Sequence, residues 1–123
     1  MAVTYTTAVK NARLSAVVTQ IGGTGVLEIG TTGMASILAS ITLDATAGTA
    51  SGGVLTFSSF PKNATAGNSG TAAAARIRTG TGGTDIVTGL SVGTSGSDIN
   101  LNSTSITSGQ TVTISSATIT HAT

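Results

Sequence analysis

One stretch near the end of the chain, residues 96–120 (GSDINLNSTSITSGQTVTISSATIT), constrains the fold more than any other. Apolar residues alternate there with polar ones, which is the period-two pattern of strands that bury one face. The alternation shows in two pairs of apolar residues, Ile99 with Leu101 and Val112 with Ile114. Ser108-Gly109 lies between these pairs and is typical of a turn. The stretch therefore predicts two or three β-strands that cover a core.

The alternation changes phase near Ser115 and Ser116. Val112 and Ile114 stand at even positions, whereas Ala117 and Ile119 stand at odd positions. An uninterrupted strand would turn one of these groups away from the core, because successive side chains point to opposite faces. We therefore expect a β-bulge or a bend at Ser115-Ser116.

Residues 6–21 are the one segment with helical periodicity. Their apolar residues recur at i, i+3, i+4 and i+7 and form a single stripe, Leu14, Val17, Val18 and Ile21. Thr6 or Thr7 can cap the start of this helix, and Gly22-Gly23 ends it. A second face carries small residues, Ala8, Ala12 and Ala16. Either the helix packs only on its own sheet, or this alanine face also contacts a neighbouring subunit.

Beyond Gly25 the chain alternates β-branched segments with turns rich in Gly, Ser and Thr. The expected strands lie at residues 26–29, 37–43, 54–57, 72–79 and 85–92, and the expected turns at 45–53, 62–70, 80–84 and 93–97. Short strands at this spacing indicate an antiparallel β-sandwich or jelly-roll-like barrel of six to eight strands, with one N-terminal α-helix. The length of 123 residues predicts one domain, with the helix at about 6–21 and the sandwich at about 25–121.

Charged residues make up only 7% of the chain, and the net charge is +1. Binding to nucleic acid needs a clustered basic face, so this balance argues against it. Charge keeps free proteins apart in solution, and a surface with so little of it favours an assembly. No signal peptide is visible, and no segment approaches the length of about eighteen apolar residues that a membrane span needs.

The residue types that catalysis and metal binding require are few and scattered. The chain has no Cys, a single His, and four isolated acids, which are Glu28, Asp44, Asp85 and Asp98. No metal-ligand spacing and no nucleophile elbow is present, and we expect His121 to have no catalytic role. The glycine segments at 22–25 and 80–83 lack the phosphate-loop patterns and are expected to be turns. The sequence thus predicts no enzyme, no metal or cofactor site and no small-molecule substrate.

Arg76 and Arg78 are the most informative charges. Two arginines spaced two apart on a strand face the same side and can bind carboxylates bidentately. They either pair with Asp85 or Glu28 of their own chain, or form a salt bridge with another subunit. With the alanine face of the helix, they complete the predicted subunit interface, Ala8, Ala12, Ala16, Arg76 and Arg78.

Three segments carry a resemblance to known proteins: the opening YTTAVKNARLSAVVTQIG, the strand SGGVLTF, and the run from GTAAAARIR through VGTSGSDINLNSTSITSGQTVTI. They resemble a group of small virion structural proteins of tailed bacteriophages, and the resemblance covers most of the chain. Ala73, Ala74 and Ala75 stand where we expect aromatic residues in relatives. The resemblance implies a head or tail component of the virion.

The first expectation is a capsid decoration (cement) protein at the capsid surface, assembled in the host cytoplasm. Its implied partners are further copies of itself and the major capsid protein. The second expectation is a tail or neck component. A third, from another class, is a carbohydrate- or ice-binding β module that uses Thr-X-Thr pairs such as those at 111–113 and 118–120.

Overall fold

The fold is described by a computed structural model for residues 4–58, 60–80 and 82–120. It is mainly β, with 46% strand and 18% helix, and its single α-helix is α1 (Thr7–Ile21). The strands are β1 (Val26–Gly30), β2 (Ile37–Thr42), β3 (Gly48–Ser51), β4 (Val54–Phe57), β5 (Lys62–Thr65), β6 (Gly70–Thr71), β7 (Ala74–Arg78), β8 (Asp85–Leu90), β9 (Val92–Gly93), β10 (Ile99–Leu101), β11 (Ser105–Ile106) and β12 (Thr111–Thr120). The predicted fold class is confirmed, although the strands are more numerous than expected.

Two large sheets form the layers of the sandwich. The first sheet has the order β2-β1-β7-β8. The second has the order β3-β4-β12-β10-β9, and β5 also pairs with β12. Pairing is antiparallel throughout the described strands except between β9 and β10, which run parallel. A small ladder of β6 and β11 lies outside both sheets.

Strand β12 holds the second sheet together and contains the predicted bulge. Its first half pairs with β5 and its last three residues pair with β4, while β10 lies along the other edge. Asn100 pairs with Ser116, but the next residue, Leu101, pairs with Ile114, so Ser115 has no partner in the ladder. The extra residue keeps Ile114 and Ala117 both buried. The bulge expected from the change of phase is thus confirmed.

Helix α1 begins and ends as the sequence predicts. The Thr6 hydroxyl caps it by accepting a hydrogen bond from the Val9 N–H at 3.3 Å, and Gly22 ends it with a φ of 74°. Leu14 and Ile21 are buried, whereas the other two stripe residues are half-buried against the core. The helix packs on β3 and β4 and also contacts β8. It therefore covers the side of the sandwich where β3 and β8 are edge strands.

One apolar cluster joins the two sheets and the helix. It draws Ile29, Ile77 and Leu90 from the first sheet and Phe57 and Ile114 from the second, all at most 6% exposed. With no Trp and only two Phe in the chain, Val, Ile, Leu and Ala fill most of this core. Phe57 is 4% exposed, and its ring is one of the largest side chains in the core.

Two of the predicted turn regions contain strands. Residues 45–53 include β3 and residues 62–70 include β5, so these regions do not consist of turns alone, as the sequence suggested. Both strands are short and consist of small or polar residues, which gives them no apolar alternation of the usual kind. The expected strand at 85–92 also divides, because the chain leaves the first sheet after Leu90 and enters the second at Val92.

Candidate interaction surfaces

The paired arginines lie on the outer face of the first sheet and both face Glu28. The register of β1 and β7 places Glu28 opposite Arg76, whose Nε donates to Glu28 Oε1 at 2.7 Å. Arg78 Nη1 lies 3.8 Å from the same oxygen, and Arg78 Nε lies 2.8 Å from Asp85 Oδ1. Of the two alternatives that the sequence leaves open, the pairing within the chain is therefore present in this structure.

This charged cluster is balanced and largely covered. Glu28 is 5% exposed, and the two guanidinium groups cover it. The Nε of Arg78 is close to Asp85 but makes no hydrogen bond, so this contact is an ion pair without an aligned N–H. The two positive and two negative groups cancel, which leaves no net charge for a partner. A salt bridge from these arginines to another subunit stays a prediction.

The outer face of α1 is open. We call the exposed residues Tyr5, Ala8, Val9, Ala12 and Ala16 the helix face. Tyr5 and Val9, at 41% and 42% exposed, are the large apolar side chains that the described part of the chain leaves in solvent. The Arg13 guanidinium lies 4.6 Å from the centre of the Tyr5 ring and covers part of it. The structure leaves the predicted alanine face accessible.

The outer face of the second sheet carries hydroxyl groups and no charge at its centre. Thr49, Thr56 and Thr118 are directly opposite one another across β3, β4 and β12, and we call them the hydroxyl row. Thr is a common solvent-side residue of strands, because it is both β-branched and polar. The row is an uncharged surface that carries hydroxyl groups.

A groove separates the free edges of β2 and β5. It has a volume of about 430 Å³ and is bordered by exposed residues of the two strands, Ser40, Thr42, Asn63 and Thr65. We call it the seam groove. A smaller hollow of about 200 Å³ continues it along β2 towards Gly67. At one end Lys62 Nζ lies 2.8 Å from Asp44 Oδ1, and at the other the Gly67 N–H donates to the Leu38 carbonyl at 2.9 Å.

The sequence does not reveal this groove, because it assigns residues 62–70 to a turn. The groove exists only because β5 pairs with β12 and leaves its other edge facing β2. The signal that could identify β5 is weak: Asn63 and Thr65 alternate with Lys62 and Ala64, without a strongly apolar residue among them. The polar alternation alone does not distinguish a strand from a loop.

The four acidic side chains, all within the described residues, have partners in the structure. Glu28 and Asp85 belong to the charged cluster, Asp44 pairs with Lys62, and Asp98 accepts a hydrogen bond from the Ser91 N–H at 3.0 Å. Among the described residues, no three His, Cys, Asp or Glu side chains come together to hold a metal ion. His121 lies outside the described residues. None of the helical segments in the described part has the length and apolar character needed to cross a membrane.

Comparison of the chain with protein-family models, with curated proteins and with solved structures gives no match in any of the three. The function must therefore be inferred from the surfaces themselves.

Proposed function

We propose that this protein is a structural component of a tailed-phage virion, a capsid decoration (cement) protein that adheres to the head shell. The observation that carries the proposal is the helix face. It presents Val9 and three alanines on the helix, and Tyr5 just before the helix cap, to solvent, while the opposite side of the helix packs in the core. Small residues let another backbone approach closely, and the apolar area they expose favours association.

Low charge supports the same proposal. Only 7% of the residues are charged, and the described ion pairs use most of these charges within the chain. A neutral surface does not repel copies of itself, so many copies can lie side by side on a lattice. Each copy then needs to bury more than about 1,000 Å² against other chains to make a specific contact. Many copies bound to one shell add their stabilising contributions, because a protein that binds only the assembled shell favours that state by mass action.

The test begins with particles that carry this protein. Quantitative mass spectrometry should find it in many copies, in a fixed ratio to the major capsid protein. Particles that lack it should rupture at a lower temperature than complete ones. If the protein is present in only a few copies and particles without it are equally robust, the decoration proposal is wrong and a tail or neck component replaces it.

A substitution on the helix face tests the surface itself. Ala12→Glu places a charge in the middle of this face and should reduce the occupancy of the protein on particles, because desolvating a lone carboxylate opposes the contact. Thr94→Glu adds the same charge at an exposed position outside the helix face and serves as the control. Circular dichroism should show that both variants fold equally well. Equal occupancy for Ala12→Glu and the control would exclude the helix face from the interface.

A further inference from the structure

The edge of β2 that borders the seam groove has unpaired backbone groups. The Leu43 N–H donates to the Gly25 carbonyl at 2.9 Å, which makes this a hydrogen-bonded pair of the β1–β2 register. Hydrogen-bonded and non-hydrogen-bonded pairs alternate along an antiparallel ladder. The N–H and C=O groups of Ser40 and Thr42 therefore point away from β1 and into the groove.

The edge of β5 has the same arrangement. The Ala66 N–H donates to the Gln110 carbonyl at 2.8 Å, and this pair continues the register of β5 with β12. By the same alternation, the backbone groups of Asn63 and Thr65 point away from β12. The two strands thus present four residues with outward backbone donors and acceptors to one groove.

No ladder joins these two edges within the described strands. The bond from Gly67 to Leu38 makes a first link, but the pairing does not continue along the groove. Backbone polar groups need partners, so water or a ligand must satisfy those of the groove. The groove's side chains add hydroxyl and amide groups, and Asn63 Oδ1 already accepts a bond from Thr113 Oγ1 at 2.8 Å. The Asn63 Nδ2 group can therefore donate to water or to a ligand.

The charges and ends of the groove restrict what fits. Lys62 and Asp44 form an ion pair at one end, so the groove offers no single charge for an ionic ligand. The ion pair at one end and the Gly67–Leu38 hydrogen bond at the other leave only a short stretch of free edge between them, which suits a small ligand better than an extended peptide added as a strand. A volume of about 430 Å³ suits a small molecule. The groove is lined by alternating donors and acceptors, and a hydroxyl group serves both because it can donate and accept at once.

We propose that the seam groove binds a neutral polyhydroxylated ligand, a sugar unit of a glycan. Its hydroxyl groups bridge the backbone edges of β2 and β5 and bond to the side chains of Thr42, Asn63 and Thr65. The apolar carbons of the ring lie over Ile41 and Ala64, which also line the groove. This inference does not rest on the proposed place of the protein in a virion.

The test is a titration of the isotope-labelled full chain with glucose, galactose, N-acetylglucosamine and maltose, followed by two-dimensional amide NMR. At least one sugar should shift the amide signals of residues 38–43 and 62–67, with a dissociation constant on the order of 1 mM, as expected for a shallow groove with few contacts. Thr42→Val and Thr65→Val each remove one hydroxyl at nearly constant volume. Each should weaken binding roughly three- to tenfold, the effect of one lost hydrogen bond.

Thr49→Val and Thr56→Val in the hydroxyl row are the matched controls and should leave the affinity unchanged. These threonines are as exposed as those of the groove, so all four variants should keep the amide spectrum of the folded protein. The proposal is overturned if no sugar shifts the groove signals, or if the shifts map to the hydroxyl row. It is also overturned if neither groove variant weakens binding, or if a neutral hexapeptide shifts the groove signals and the sugars do not.

Discussion

Replacing Glu28 by Gln tests how much the charged cluster contributes to folding. The substitution keeps the shape of the side chain but removes the charge that faces Arg76 and Arg78. Glu28 is 5% exposed, and each arginine side chain keeps only about a fifth of its surface in water. Removing one partner of a buried pair costs about 3–5 kcal/mol, because the remaining charge stays desolvated. We expect about 3 kcal/mol here, since water still reaches both guanidinium groups.

Asp85→Asn is the control from the same cluster. Asp85 also pairs with Arg78, but its side chain is 42% exposed, and an exposed pair contributes at most about 1 kcal/mol. Urea unfolding followed by circular dichroism measures both losses, because the chain has no Trp for fluorescence. The midpoints are compared at equal slope, which confirms that only stability has changed. If Glu28→Gln lowers the free energy of unfolding no more than Asp85→Asn does, burial does not set the strength of these ion pairs.

Two further substitutions test the core and the helix cap. Phe57→Ala should cost about 3–5 kcal/mol, because it empties a buried site of the core, while Phe60→Ala at a half-buried position should cost less in the same urea experiment. An unchanged midpoint for Phe57→Ala would contradict its buried position. Thr6→Ala should cost about 1 kcal/mol by removing the bond to the Val9 N–H, whereas Thr7→Ala should cost nearly nothing in thermal unfolding. Equal losses at the two threonines would show that Thr6 does not cap the helix.

Those features that depend on local side-chain chemistry are predictable from the sequence. A cap at Thr6 or Thr7, a helix end at Gly22-Gly23 and a bulge or bend at Ser115-Ser116 follow from residue types and their alternation. The structure confirms all three, with Thr6 as the cap and Ser115 as the extra residue of the bulge. The opposite faces of β7 are equally local: Ile77 is buried, and Arg76 points outward. In each case, the neighbouring residues of the chain carry enough information.

Features that depend on distant pairing are not predictable in this way. Strands β3 and β5 owe their conformation to β4 and β12, because their own residues are too small or too polar to show a buried face. The sequence likewise does not decide which acid pairs with the arginines. Glu28 is on β1 and Asp85 is on β8, and in the structure these strands flank β7 and both acids pair with its arginines. The seam groove lies between β2 of the first sheet and β5 of the second. Predicting it therefore requires the position of one sheet relative to the other. A surface for another chain depends on that chain as well, so the sequence gives only candidates for it.

The position of β12 in the chain has a consequence for synthesis. Its partners in the second sheet, β4, β5 and β10, all precede it, and they contact one another through it. A growing chain therefore exposes unpaired strand edges until Thr120 has left the ribosome, and such edges can pair with other chains. The first sheet does not share this delay, because its last strand ends at Leu90. We infer that the first sheet can form before β12 has been synthesised. In that interval the incomplete second sheet makes the nascent chain most prone to aggregation, above all when the protein is produced at high concentration.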